Sequence, residues 1–386
     1  MVLLILGLVL FIGLVVVHEL GHFWVARRNG VKVEEFGIFF PPALWRHKTK
    51  AGWDFTINLL PLGGFVKLKG EFDADKRPGS FGSATTRVKA KIMLAGVAVN
   101  LVTAVVMFMV LAWVGMPKII DNQFTVPSDT KIVNQVTYVS FVEPKSPADT
   151  AGLLQQDKLL TIAGENQKAI PVGETALKDI TKNLAGQKVT IIYERDGAIK
   201  TTHTTLLTQK EVAKSKLTNN PKGYLGVSPL EQTTRRSTWS APIVAVGLTG
   251  QFTQMTLKGL WQALQGLGGI IAGAVTGNTT ARQSAQTEAG SQVGGPIAIF
   301  FTLKSGSTLG FGFILMIIAL ISLTLAIMNV LPIPALDGGK LFVMLVARLL
   351  KKPLTEKVEG MVNSIGFMVL IGLIVLITIV DVKRFF

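Results

Sequence analysis

The chain has 386 residues, 49% of them hydrophobic and only 16% charged, and it contains no cysteine, which excludes disulfides, thiol nucleophiles and cysteine-ligated metals. That balance describes a membrane protein with room for a soluble domain. The formal charge of +15 does not point to nucleic acid: 13 of the 39 Lys and Arg lie between Arg27 and Lys91 beside only six acids, the pattern of a cytoplasmic loop held against anionic lipid, and no RNA- or DNA-binding motif accompanies them.

Residues 2–26 form the first predicted span, long enough to cross about 30 Å of hydrocarbon at about 1.5 Å per residue. A cleaved signal peptide is the competing reading, but no basic region precedes the apolar run and no small-residue cleavage site follows it. Near its end stands Val17-His18-Glu19-Leu20-Gly21-His22. On a helix, His18 and His22 lie one turn apart on one face, so both imidazoles can reach one metal ion with Glu19 beside it. Zinc hydrolysis needs a third protein ligand, an open position for water and a general base, for which Glu19 is the candidate. Ionisable groups in hydrocarbon are costly unless they are paired or bind something, which favours function over a bland pair of interfacial histidines. Arg27 and Arg28 end the span on the inside, placing the amino terminus outside and the histidines nearer the cytoplasmic face.

Between Asn58 and Gly70 the pattern changes. Phe65, Lys67 and Lys69 alternate with Val66 and Leu68, the period of a half-buried strand, and Gly63-Gly64 supplies a tight turn before it. A small hairpin or sheet is expected to dip toward the membrane beside the active site. Its free edge, at Phe65, Val66, Lys67, Leu68 and Lys69, is the candidate for pairing with an extended substrate. A solvated hairpin with no substrate role fits the pattern equally well. Ile92 to Val114 form the second span, where Asn100 is read as an interhelical hydrogen-bonding residue and the small residues Ala95, Gly96 and Ala98 as a close-approach surface.

The region from Gly115 to Leu309 is expected outside. Val136–Val142, Leu159–Ile162, Val189–Tyr193 and Thr201–Leu206 read as short strands, and Ser146–Leu153 as a short helix with Ser146 as N-cap, Pro147 first and Gly152 at its end. Pattern alone gives a small α+β domain. Thr208–Lys222 reads as a linker, and Tyr224–Ser228 as another short strand. Ser240–Val275 reads as one or two amphipathic helices at the outer membrane surface, a further span being the competing reading, and Gly277–Gln292 as a polar loop.

Phe311–Val330 is the third span and runs into Asn329-Val330-Leu331-Pro332-Ile333-Pro334-Ala335-Leu336-Asp337-Gly338-Gly339. The prolines break the helix, the glycines allow backbone conformations that other residues resist, and irregular backbone at membrane depth belongs inside protein or around a wet cavity. Asp337 is therefore a natural third metal ligand, with N-capping of a short helix at Lys340–Leu350 as its alternative. Residues 361–380 form the last span. His47 and His203 face opposite compartments, and Glu34 and Glu35 read as solvated surface.

The His18–His22 motif in the first span, Asn329–Gly339 in the penultimate one and a soluble insertion between them resemble the site-2 protease family of intramembrane metalloproteases, in the bacterial branch that acts on membrane-bound anti-sigma factors. The resemblance covers nearly the whole chain. It implies that His18, His22 and Asp337 bind Zn2+, that Glu19 activates water and that Asn329 helps hold the substrate. Tyr138–Val142 with Ser146–Leu153 and Asp157–Leu160 resembles a PDZ domain, with Gln156 where a glycine is common. Asn58–Gly70 resembles the family's membrane-associated β-hairpin. Val97 stands where the family's second-span motif has proline, so Asn100 keeps its packing role.

The expected fold is thus a polytopic α-helical membrane protein of about four transmembrane helices, with an inserted extracytoplasmic α+β PDZ-like domain and a membrane-associated β-hairpin. Its parts are 1–114 with the zinc motif, 127–228 with the PDZ-like domain, 240–309 with the outer helices, and 310–386 with the third ligand. The resemblance implies a multi-pass protein of the bacterial cytoplasmic membrane that cleaves single-span membrane proteins trimmed beforehand by another protease, such as anti-sigma factors or leftover signal peptides. A non-catalytic scaffold collecting chain ends through the PDZ-like domain is the rival reading, disfavoured by an intact Glu19. A metal transporter is disfavoured by the lack of repeated halves.

Overall fold

The computed structural model describes residues 1–165, 168–217, 221–276, 295–352 and 354–385. The polar loop expected at Gly277–Gln292 lies outside them. The chain divides into two compact units, one made of Met1–Leu111 with Pro242–Phe386 and the other of Ala112–Ala241.

The first unit opens with helix α1 (Val2–Arg28), strands β1 (Val33–Lys48) and β2 (Asp54–Leu68), and helix α2 (Thr86–Val114). The second unit then brings β3 (Met116–Pro117), β4 (Lys131–Val142), α3 (Pro147–Thr150), β5 (Lys158–Ala163), β6 (Lys168–Ala169), α4 (Gly173–Asn183), β7 (Lys188–Arg195), β8 (Ala198–Thr205), α5 (Gln209–Ser215) and β9 (Val227–Arg236). The chain ends with α6 (Ala241–Thr276), α7 (Pro296–Thr308), α8 (Phe311–Val330), α9 (Asp337–Leu349) and α10 (Glu356–Phe385).

Among the described residues, four helices are long and apolar enough to cross a membrane: α1, α2, α8, and α10 as far as Val382. This is a polytopic membrane protein with a β domain. Helix α2 begins six residues before the expected span and α10 five before, because helical hydrogen bonding continues past the hydrocarbon edge into polar sequence such as Thr86-Arg87-Val88-Lys89. Helix α6 is one continuous 36-residue helix and is not among the four. Leu14 of α1, Leu303 of α7 and Ile314 and Ile318 of α8 form one buried cluster. Ala26, Val31, Val33, Phe81, Ile92 and Met93 form another, where α1 hands over to β1 and α2 begins.

Strands β1 and β2 are long and bent, so each contributes two segments to a small sheet. Ala43–Lys48 pairs with Asp54–Asn58, Asp54–Ile57 also lies beside Glu35–Ile38, and Glu35–Ile38 pairs on its other side with Gly64–Lys67. Phe39, at φ 67°, begins the first bend, and buried Asn58 holds that bend by donating to the carbonyls of Ile38 and Phe39 at 3.2 and 3.0 Å. Gly63-Gly64 is not the expected turn. Both glycines lie within β2, where the strand passes from one side of β1 to the other. Gly64–Leu68 thereby becomes an outer edge, with no third strand paired to it among the described residues.

The second unit is built on a sheet of order β3-β9-β4-β5-β7-β8, with β6 beside β5. Its core gathers Val139, Leu153, Leu159, Ile162, Leu177, Val189, Ile191 and Leu225. Helix α3 starts where the sequence indicates: the Asp149 amide donates to Ser146 Oγ at 3.2 Å, and Pro147 opens the helix. Gln156 adopts the left-handed φ of 74° that glycine would take without strain. Buried Asp157 next to it accepts from Arg195 Nε at 2.6 Å and from the Leu154 amide at 2.8 Å. Asp129 accepts from the Ser240 and Thr238 side chains and amides, and these bonds, led by Ser240 Oγ at 2.6 Å, hold its carboxyl well below the usual carboxylate range. The expected linker at Thr208–Lys222 instead contains α5, closed by a capping box in which Thr208 and Glu211 satisfy each other's amides. The signal was present as Thr208-x-x-Glu211, but the run was too polar to read as a helix. The strand expected at Tyr224–Ser228 begins at Val227 and continues to Arg236.

Candidate active site

Helix α1 places His18 and His22 on one face, as their spacing requires, with both side chains buried. Their Nε2 atoms are 3.2 Å apart. Helix α8 ends at Val330, and Leu331–Leu336 carries the chain through an irregular turn, with Ala335 at φ 75°. Helix α9 then begins at Asp337 itself. Its N-cap position is Leu336, without a side-chain cap, so Asp337 is not the capping residue that the alternative reading required. Its Oδ2 lies 3.3 Å from His18 Nε2 and 3.2 Å from His22 Nε2.

These three donors form a triangle with edges of 3.2 to 3.3 Å. A tetrahedral zinc with bonds of about 2.0–2.1 Å spaces its ligand atoms by about 3.3–3.4 Å, so the residues fit the metal. Asp337 Oδ2 is also buried, with the two imidazole nitrogens beside it but no donor in hydrogen-bonding geometry, an arrangement that a shared cation would satisfy. The pair Gly338-Gly339 is helical rather than unusual in φ. Its glycines are required by close approach, since a Cβ on Gly338 would overlap the Val330 carbonyl oxygen and one on Gly339 that of Ile333.

Helix α2 supplies the floor. A Cβ on Gly21 would lie 2.9 Å from the Ala95 carbonyl oxygen, and one on Gly96 would overlap His22 Nε2 and come within 2.5 Å of His18 Cε1. Of the close-approach surface read at Ala95, Gly96 and Ala98, Ala95 faces Gly21 and Gly96 lies against the imidazoles, whereas Ala98 is exposed. His22 Nδ1 donates to the Ile92 carbonyl at 2.7 Å. Asn100 is fully buried, and its side-chain amide lies 3.2 Å from His18 Nδ1, a contact that sequence reading did not anticipate.

Glu19 is half-buried on α1, and the sheet edge starts beside it: a Cβ on Gly64 would be 3.1 Å from Glu19 Cγ and 3.5 Å from Val15 Cγ1. Of the expected edge residues, Phe65, Val66, Lys67 and Leu68 lie on the open strand. Lys69 does not. Its amide donates to Lys32 and its carbonyl accepts from Phe81, both at 2.8 Å, so its backbone is already paired. A cavity of 620 Å³ lies at the Lys67–Leu68 end of this edge, bounded also by Glu34, Phe72, Arg77 and Glu356, rather than at the histidines.

The loop that follows is fastened by Asp73, which pairs with fully buried Lys89 of α2 and lies 3.3 Å from Arg348 of α9, while its amide donates to Glu359 of α10 at 2.9 Å. Burial alone would raise the Asp73 carboxyl, but the hydrogen bond from Lys89 and the neighbouring cations hold it below its ordinary value. Asn329 is half-buried in the last turn of α8, and its side chain forms no hydrogen bond among the described residues. Glu35 is taken up by Thr56 at 2.8 Å, Glu34 lies 3.6 Å from Lys67, His47 stacks on Trp45 and His203 bonds Thr190. None of these four joins the triangle.

The sequence profile of peptidase family M50 matches residues 6–373. Candidate zinc metalloproteases of Clostridium perfringens and Clostridium acetobutylicum are 30% and 31% identical, over 98% of this chain in each case and 98% and 97% of theirs. The regulator of sigma E protease of Haemophilus influenzae is 26% identical over 96% of both chains.

Proposed function

Because this chain belongs to peptidase family M50, the site-2 proteases, and is thus a zinc metalloprotease, we propose that His18, His22 and Asp337 hold its zinc and that Glu19 is its general base. The observation that carries the assignment is the three-donor triangle, drawn from two helices more than 300 residues apart in sequence and spaced as a tetrahedral ion requires. Bound zinc supplies a Lewis acid that polarises the scissile carbonyl and acidifies water. Glu19 takes the proton of the attacking water and returns it to the departing amide nitrogen.

A substrate helix hides its carbonyls in its own hydrogen bonds, so it must unwind before it can be cut. The open edge Phe65–Leu68, starting next to Glu19, holds the unwound segment by backbone pairing that depends little on side-chain identity, and Asn329 holds it from α8. Exposed Leu44, Trp45, Leu59 and Leu60 give this sheet an apolar surface for the bilayer. The substrates are single-span proteins of the bacterial cytoplasmic membrane, previously shortened outside, such as anti-sigma factors or leftover signal peptides. The second unit is a PDZ-like domain on the extracytoplasmic side that turns away substrates with bulky outer portions. The arrangement of Ser146, Pro147 and Gly152 around α3 and the basic excess at Arg27–Lys91 support these two readings.

The test is Glu19→Gln in purified protein supplied with a single-span substrate. Zinc content should match the parent, and cleavage should fall on the order of 10²-fold or more. Near-parental cleavage would remove Glu19 from the mechanism.

A further inference from the structure

The geometry points to Asn100 as the positioning residue that fixes His18 in its zinc-binding tautomer. The inference rests on the zinc reading above. For both histidines the atom facing Asp337 is Nε2, so each must keep that nitrogen unprotonated and carry its proton on Nδ1. For His22 the requirement is met by a group that can only accept, the Ile92 carbonyl at 2.7 Å. The corresponding group for His18 is the carboxamide of Asn100 at 3.2 Å, fully buried in α2.

A carboxamide, unlike a carbonyl, can turn either end to the ring. With its NH2 toward Nδ1 it favours the tautomer protonated on Nε2, which cannot ligate zinc. With Oδ1 toward Nδ1 it accepts the proton there and frees Nε2. In the structure the Asn100 NH2 faces His18 Nδ1 and Oδ1 is buried without a partner. One end of the amide stays unpaired in either orientation, so the His18 proton decides which end turns inward, and zinc selects Oδ1. The residue is also held from behind: Ser322 of α8 donates its hydroxyl to the Asn100 backbone carbonyl at 2.8 Å, deep in the helix packing. Groups that orient a metal-binding histidine in this way typically contribute 10- to 100-fold in metal affinity, on the order of the loss expected here.

The experiment measures the zinc dissociation constant of the full-length protein in detergent by competition with a chromophoric chelator. Asn100→Leu, which keeps the bulk and removes the acceptor, should weaken zinc roughly 10- to 100-fold. Asn100→Asp, which keeps an acceptor, should hold zinc at least as well as the parent. Ser322→Ala removes the tie to α8 and leaves the acceptor, so it should leave zinc affinity within about twofold; it separates helix packing from the role of the amide. Should Leu disturb folding, Asn100→Ala is read in the same way. Unchanged affinity in the Leu or Ala variant, equal losses in the Asp and Leu variants, or a Ser322→Ala loss as large as theirs would each overturn the assignment. A parent protein that binds no zinc would sink the zinc reading itself, a result distinct from zinc held equally with and without the amide.

Discussion

Gly96 of α2 lies directly beneath His22 of α1, so close that the volume a Cβ would take is already occupied by Nε2 of the imidazole. The proposed metal site is therefore shaped as much by an absent side chain as by the three that face one another. Gly96→Ala should push both imidazoles out of register with Asp337. Overpacking of this kind costs about 1–3 kcal/mol, which corresponds to roughly 5- to 150-fold weaker zinc retention. Metal analysis after dialysis gives the answer, and an alanine variant with full zinc would mean that the two helices separate more readily than their contacts suggest.

Asp337→Ala should release zinc and abolish cleavage, since two histidines leave the ion under-coordinated. Helix α9 should survive, because its N-cap position is Leu336 and no capping bond is lost. Full zinc retention would direct attention to another ligand.

Val66→Pro should slow cleavage of a helical substrate far more than it lowers zinc content. Proline removes an amide from the strand and cannot be accommodated in regular pairing. The measurement compares a full-length substrate with a pre-trimmed one. Parental rates on the trimmed substrate would show that the edge plays no part in holding it.

Gln156→Gly should stabilise the second unit. Relief of the left-handed backbone gains about 1–2 kcal/mol, and the added freedom of the unfolded glycine returns about 0.5–1 kcal/mol, leaving a net of about 0–1.5 kcal/mol, with a midpoint of about 0.75 kcal/mol. The Gln156 amide donates to Val139 and the Val139 amide to Asp157, both at 2.8 Å. Hydrogen exchange at these amides should slow roughly two- to fivefold. No slowing would mean that the glutamine side chain compensates for its backbone.

Local periodicity revealed what local periodicity determines. His18 and His22 share a face because helices repeat every 3.6 residues, and the four spans follow from uninterrupted apolar length. That Asp337 would lie beside the two histidines was legible because a carboxylate beyond two prolines in a membrane has few inexpensive explanations. The Asn100–His18 contact was not, because nothing within α2 records which side chain of α1 will lie across from it, 82 positions away. Gly63-Gly64 misled for a related reason: glycine pairs mark turns, and a strand that crosses from one side of its partner to the other uses the same freedom without turning. Lys69 fits the strand alternation as well as Lys67 does, yet Phe81, twelve residues later, closes its backbone.

Asp73 gives the catalytic region a mechanical character. The loop that continues the open strand is moored at this one residue, its carboxylate to helices α2 and α9 and its backbone amide to Glu359 of α10. Losing the carboxylate would strand Lys89, fully enclosed, without its counter-charge, at a cost of about 3–5 kcal/mol. If a substrate pairs with Phe65–Leu68 as proposed, the loop beyond that edge is tied to three helices at once rather than hanging on a single hinge.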